Sequence, residues 1–139
     1  MSATQDALAK VPMFRDLNKK QLERIEKIAR PRSFKGGDVI VKEGDEGVGF
    51  FLIVDGHVEV TRHAATLASF GPGEFFGEMA LLDNYRRSAT VTANGPVSTL
   101  AMLRSDFMAE LRANADLAVE MLVLMSRRLR ECDEALSVR

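Results

Sequence analysis

The chain has 139 residues, 46% hydrophobic and 28% charged, the size and balance of one globular domain spanning 1–139. A formal net charge of −1 supplies no long-range pull toward nucleic acid or an anionic membrane, so neither is expected as a partner. Cys132 is the single cysteine, which excludes an internal disulfide and suits a reducing compartment.

The start, Met1-Ser2-Ala3-Thr4-Gln5-Asp6, lacks the basic segment and apolar core of a signal peptide. No apolar run approaches the roughly 18 residues of a membrane span, so a cytoplasmic location is expected. Residues 1–30 read as helical. Leu8 lies in a short first segment that Pro12 interrupts. Asn18 with Gln21 three residues on forms a capping-box pattern. Leu22, Ile25, Ile28 and Ala29 then give one apolar helix face, and Pro31 stops the helix near Arg30.

From 31 to 104 the pattern changes. Gly36-Gly37, Gly44, Gly49, Asp55-Gly56, Gly71-Pro72-Gly73 and Asn94-Gly95-Pro96 punctuate short apolar runs. These runs, 39–41, 50–54, 58–61, 66–70, 88–92 and 97–103, include many Val, Ile, Phe and Thr residues, as strands do. Asp55-Gly56 between two of them signals a two-residue hairpin. Strands at this spacing predict a mainly β fold, an antiparallel jelly-roll β-barrel with flanking helices. Glu43, Asp45 and Glu46 read as solvated turn chemistry. His57 and His63 are the only histidines and no Cys–His cluster exists, so no metal is expected.

Beyond 105 the chain turns helical again. Ser105 reads as the cap of a short helix carrying Phe107, Met108 and Leu111, and Asn114 as the cap of a long one running to about Leu136. Ala118, Leu122, Met125, Leu129, Cys132 and Leu136 are spaced 4-3-4-3-4, a heptad seam. Arg127–Glu131 and Arg130–Glu134 stand at i, i+4 beside it. The seam packs either on the chain's own barrel or on a second copy, as a homodimer.

One stretch, 75–91, interrupts the strands with Phe75-Phe76-Gly77-Glu78-Met79-Ala80-Leu81-Leu82-Asp83-Asn84-Tyr85-Arg86-Arg87-Ser88-Ala89-Thr90-Val91. Gly77 permits a tight turn, and 78–82 are mostly good helix formers. A helix start attracts phosphate, arginine grips it bidentately, and a carboxylate accepts from sugar hydroxyls. Together these groups match a small ribose-phosphate ligand.

Gly77-Glu78-Met79-Ala80 followed by Arg87-Ser88-Ala89 resembles the phosphate-binding cassette of cyclic-nucleotide-binding domains, a family of activator, kinase-regulatory and channel modules. The resemblance covers about 11–136. It implies that Glu78 takes the ribose 2′-hydroxyl and Arg87 the cyclic phosphate. Ser88 adds a hydroxyl, and the Gly77 to Ala80 backbone closes round the sugar-phosphate. The family motif puts the ligand arginine directly before the Ser/Thr, so Arg86 is not that arginine. By the same resemblance Val60 and Leu67 line the base side and Met79 lies under the sugar.

Two adjacent hydroxyl residues on the activators' long C-terminal helix reach the adenine amino group. Aligning through Arg127-Arg128-Leu129 puts Cys132 and Asp133 there, a departure from the family pattern. The link between Val60 and Leu67 is short, a second departure. The chain stops at Arg139 without the activators' helix-turn-helix domain. The expected function is a non-enzymatic regulatory sensor for cAMP or, alternatively, cGMP, with the C-terminal helix as lid and an unidentified effector protein as partner. No other cofactor is expected. The rival readings are a ligand-free dimerisation scaffold of the same fold and a piece of a channel, kinase or transcription regulator.

Overall fold

Two long antiparallel strands carry the fold: β3, Gly49–Arg62, and β6, Thr90–Leu103. The structure, a computed structural model, describes residues 3–11, 14–46, 49–77, 81 and 86–137, the side chains of 124, 128 and 132–137 excepted. Around the long pair lie β1 (Arg30–Phe34), β2 (Val39–Val41), β4 (Ala65–Phe70) and β5 (Phe75–Phe76). The order is β1-β6-β3-β4, with β2 also on β6 and β5 also on β3. The class is as expected, mainly antiparallel β and jelly-roll-like with flanking helices. Among the described residues, however, this path is an open rolled sheet and not a closed barrel.

The Asp55-Gly56 hairpin does not form. β3 runs straight through it, and β6 runs through Asn94-Gly95-Pro96. The two turn-like segments face each other. His57 pairs with Asn94 and Asp55 with Ser98, and the register shifts on either side of Asp55. Both strands therefore bend at one level, as paired bulges allow. The true hairpin turn is His63-Ala64, between the paired residues Arg62 and Ala65. β1 was not foreseen either. None of the expected strand runs covers it, yet Arg30 to Phe34 pair in unbroken register with β6.

Gly56 has φ +89°, and a Cβ there would run into the Pro96 carbonyl and sit 3.0 Å from Val97 Cα. Gly56→Ala is expected to destabilise by about 2–4 kcal/mol, combining left-handed strain with backbone overpacking. Urea unfolding checks this, and an unchanged midpoint would show that the bend tolerates a side chain.

The bend sorts the side chains into two cores. On one face, Phe50, Leu52 and Met102 pack against Leu8, Phe14, Leu22, Ile25, Phe107 and Leu117 of a helical layer. On the other, Ile53, Val97 and Phe76 meet Val58, Val91 and Ala93 inside the roll. Neighbours on β3 thus serve opposite cores, as the period of two requires.

The helical layer comprises α1 (Ala3–Ala9), α2 (Lys19–Ile28), α3 (Arg104–Ala113) and α4 (Ala115–Ser137). The capping box at α2 is present: the Gln21 N–H donates to Asn18 Oδ1 at 2.9 Å, and the Asn18 N–H to Gln21 Oε1 at 3.0 Å. Asn114 Oδ1 accepts from the Leu117 N–H at 3.3 Å, as expected of a cap. Ser105 does not cap α3. Leu103 occupies that position without a side-chain bond, because its pairing with Gly49 keeps β6 extended to the helix start.

α4 packs through Leu117, Met121 and Met125, and Arg127, expected beside Glu131, lies 3.8 Å from Asp16. Two members of the heptad seam point away from the layer: Leu122 is 70% and Leu129 66% exposed. The side chains of Cys132 and Leu136 lie outside the described residues. Among the described residues no helix is long and apolar enough to cross a membrane.

Candidate functional site

The strand period also sets the two arginines apart. Arg86 forms an isolated antiparallel bridge with Glu46. The Gly44 N–H donates to the Arg87 carbonyl at 2.9 Å, and the Arg87 N–H to the Asp45 carbonyl at 2.8 Å. Consecutive side chains on this bridge diverge. Exposed Arg86 donates from Nη1 to the Gly44 carbonyl at 2.8 Å. Half-buried Arg87 donates from Nη2 to the Gly49 carbonyl at 2.5 Å, on the first residue of β3.

Gly77 closes this corner. Its φ is +83°, and a Cβ built on it would strike the Arg87 guanidinium and lie 2.7 Å from the Gly49 oxygen. Only a residue without a side chain fits between a cation and a carbonyl at this spacing. Gly49, Gly77 and Arg87 therefore form one packed unit.

Arg87 also lines a cavity of about 440 Å³ whose wall includes Val41, Gly49, Phe51, Ala101 and Leu103. Arg32 and Lys42 add positive charge to the wall, and Asp45 and Glu46 negative charge. An apolar wall with a few charged groups is the usual make-up of a small-molecule site. Three residues expected around the ligand stand outside this wall. Val60 packs on the core inside the roll, opposite Val91. Leu67 is 52% exposed and sits where the β3–β4 register shifts. Ser88 is exposed, and its carbonyl accepts from Arg62 Nε at 2.9 Å. Glu78, Met79 and Ala80 lie outside the described residues, as does the side chain of Asp133 on α4. Of the expected helical run 78–82, Leu81 alone is described, and it is fully buried in the helical-layer core.

The turn expected at 43–46 is present, but its bonds to the rest of the chain were not foreseen. The Asp45 N–H donates to the Lys42 carbonyl at 3.1 Å, and Gly44 has φ +88°, the geometry of a type II turn. Glu43, read as solvated, is bonded on both sides. Its N–H donates to Thr90 Oγ1 at 3.0 Å. Its Oε1 accepts from the His63 N–H at 3.1 Å, and its Oε2 lies 3.4 Å from His63 Nδ1. These partners stand 20 and 47 residues away along the chain, so no local pattern announces them.

Comparison with known proteins gives a consistent result. The family model described as cyclic nucleotide-binding domain matches residues 31–114. Among curated proteins, the chain is similar to the cyclic AMP receptor protein of Thermus thermophilus, with 35% identity over 127 residues, covering 88% of this chain and 59% of that protein. It is also similar to a cyclic nucleotide-gated potassium channel of Rhizobium etli, with 42% identity over 102 residues, covering 72% of this chain and 28% of the channel. Among solved structures, the N-terminal domain of a transcriptional regulator from Streptomyces coelicolor A3(2) superposes with a TM-score of 0.87. It shares 30% identity, covering 94% of this chain and 96% of that one. The chain thus spans less than two thirds of either curated relative.

Proposed function

The chain belongs to the cyclic nucleotide-binding domain family, and from that premise we propose that it is a sensor for cAMP that binds its ligand without turning it over. The observation that carries this reading is the inward-facing Arg87, wedged between Gly77 and the Gly49 carbonyl while Arg86 faces solvent. A doubly coordinating phosphate offers the guanidinium stronger, charge-assisted bonds than a neutral carbonyl does. Ligand entry therefore draws Arg87 from Gly49 toward the cyclic phosphate. Ser88 and the backbone of Gly77, Met79 and Ala80 complete the phosphate grip, and Glu78 accepts from the ribose 2′-hydroxyl.

Val60 and Leu67, outside the cavity wall, come to flank the base as the site closes on it, and Asp133 of α4 accepts from the adenine amino group. Guanine presents a carbonyl oxygen at that position, so Asp133 disfavours it. The choice of cAMP draws on the name of the Thermus relative. α4 closes over the base, and the ligand shifts that equilibrium by its differential affinity for the closed state. Leu122 and Leu129, seven residues apart and exposed, favour pairing with a second copy through α4. The closed state acts on an effector, attached or separate.

A thermal-shift panel of cAMP, 2′-deoxy-cAMP, cGMP and AMP tests each part of this reading. cAMP at 100 times its dissociation constant should add about 2.7 kcal/mol of stability. The 2′-deoxy analogue should bind worse if Glu78 reads the ribose. cGMP should bind about 5- to 150-fold worse, the cost of one unpaired acceptor. No shift with any of the four would leave the ligand-free scaffold as the better reading. Sedimentation at several concentrations reads the pairing, and a strict monomer with and without ligand refutes it.

A further inference from the structure

The β3–β4 hairpin turns on His63 and Ala64, with φ of 51° and 66°. Both central residues are left-handed and neither is glycine, an arrangement that costs free energy wherever it occurs. The tip is held from outside. The His63 N–H faces away from the hairpin, and the Glu43 carboxylate takes it, with its second oxygen against the imidazole. Glu43 belongs to the Lys42–Asp45 turn, which its own N–H pins to Thr90 at the head of β6. The next two residues of that turn, Gly44 and Asp45, make the paired backbone bonds to Arg87. A chain of hydrogen bonds thus runs from the hairpin tip, through one carboxylate, to the backbone of the arginine.

We propose that Glu43 is a positioning residue for Arg87: by clamping the His63 tip it fixes the turn that sets the direction of the guanidinium, and so tunes affinity for the ligand's phosphate. The proposal rests on Arg87 being the phosphate ligand. As a surface ion pair, Glu43–His63 would contribute little, since His63 is almost fully exposed. The effect comes instead from the single oxygen that accepts the His63 N–H on a strained turn. Glu43→Gln keeps an oxygen acceptor for the His63 N–H, whereas Glu43→Ala removes it.

The first measurement is amide hydrogen exchange in the ligand-free protein. In Glu43→Ala, exchange at Gly44 and Arg87 should quicken about tenfold or more while Leu52, deep in the β3–β6 ladder, stays unchanged. Glu43→Gln should restore most of the protection. The second measurement is calorimetry with cAMP. Glu43→Ala should bind about three- to tenfold more weakly, at a melting temperature close to that of wild type, and Glu43→Gln near normally. Unchanged exchange at Gly44 and Arg87 in Glu43→Ala overturns the proposal, and so does faster exchange that Glu43→Gln leaves uncorrected. If Glu43→Ala does not fold, Glu43→Leu, which keeps the bulk without an acceptor, takes its place: faster exchange at both amides supports the clamp, and unchanged exchange overturns it. If wild type binds no cAMP, the sensor reading fails, and the exchange measurement alone still decides whether Glu43 holds the Arg87 backbone.

Discussion

Arg87→Ala is expected to weaken cAMP binding by about 30- to 1000-fold without unfolding the domain. Each charge-assisted hydrogen bond is worth about 1.5–3 kcal/mol, and a bidentate grip on phosphate uses two of them. Giving up the bond to the Gly49 carbonyl offsets about 1–2 kcal/mol of that gain, and the remaining loss of about 2–4 kcal/mol converts to that range at 1.4 kcal/mol per decade. The fold survives because Arg87 lines a cavity and belongs to neither core. Water can enter there and solvate the Gly49 carbonyl. Arg87→Lys should recover only part of the loss, since an ammonium cannot fork across two oxygens. Arg86→Ala is the control and should change affinity by less than about threefold, because its bond lies on the surface. Calorimetry on the three variants decides, and near-normal affinity in Arg87→Ala would remove the arginine from the site.

Phe50→Ala should lower the stability of the fold by about 3–5 kcal/mol, the range for a fully buried aromatic. The Phe50 ring is 6.0 Å from Phe14, edge-on at 77°, and 5.9 Å from Phe75. Truncation leaves a void where the helical layer meets the sheet, against a total stability of about 5–15 kcal/mol. At this chain length the melting temperature should fall by about 10–20 °C. Phe51 makes the comparison. It faces the roll interior, stacked on Phe76 at 5.2 Å, but is only partly buried, so Phe51→Ala should cost about 2 kcal/mol. Urea titrations of both variants read the difference. A loss below about 1 kcal/mol for Phe50→Ala would contradict its role as the joint between helices and sheet.

The residues that could be read along the chain are those whose partners lie close in sequence. Asn18 caps α2 through Gln21, and Asn114 caps α4 through Leu117. The choice of Arg87 over Arg86 came from the family motif, and the structure adds only that alternation leaves Arg86 exposed and Arg87 half-buried. What escaped was set by partners far away. Asp55-Gly56 has the chemistry of a turn, but it meets Asn94-Gly95-Pro96 across a ladder, where the same conformational freedom bends two strands together. His63-Ala64 has none of the usual turn residues and makes the turn all the same, with Glu43 on it. Arg30 to Phe34 form a strand because β6 offers an edge, and that edge cannot be seen from their own composition.

The two cores share the same two strands, and this governs how the molecule comes apart. Phe50 and Ile53 lie three residues apart on β3 and are anchored in different cores. Releasing the helical layer strips one side of β3 and β6, and opening the roll strips the other. Neither core retains an intact sheet once the other is lost, so partial melting gains little entropy and forfeits packing on both sides. The domain should therefore denature as one all-or-none unit, its calorimetric enthalpy matching the van't Hoff value.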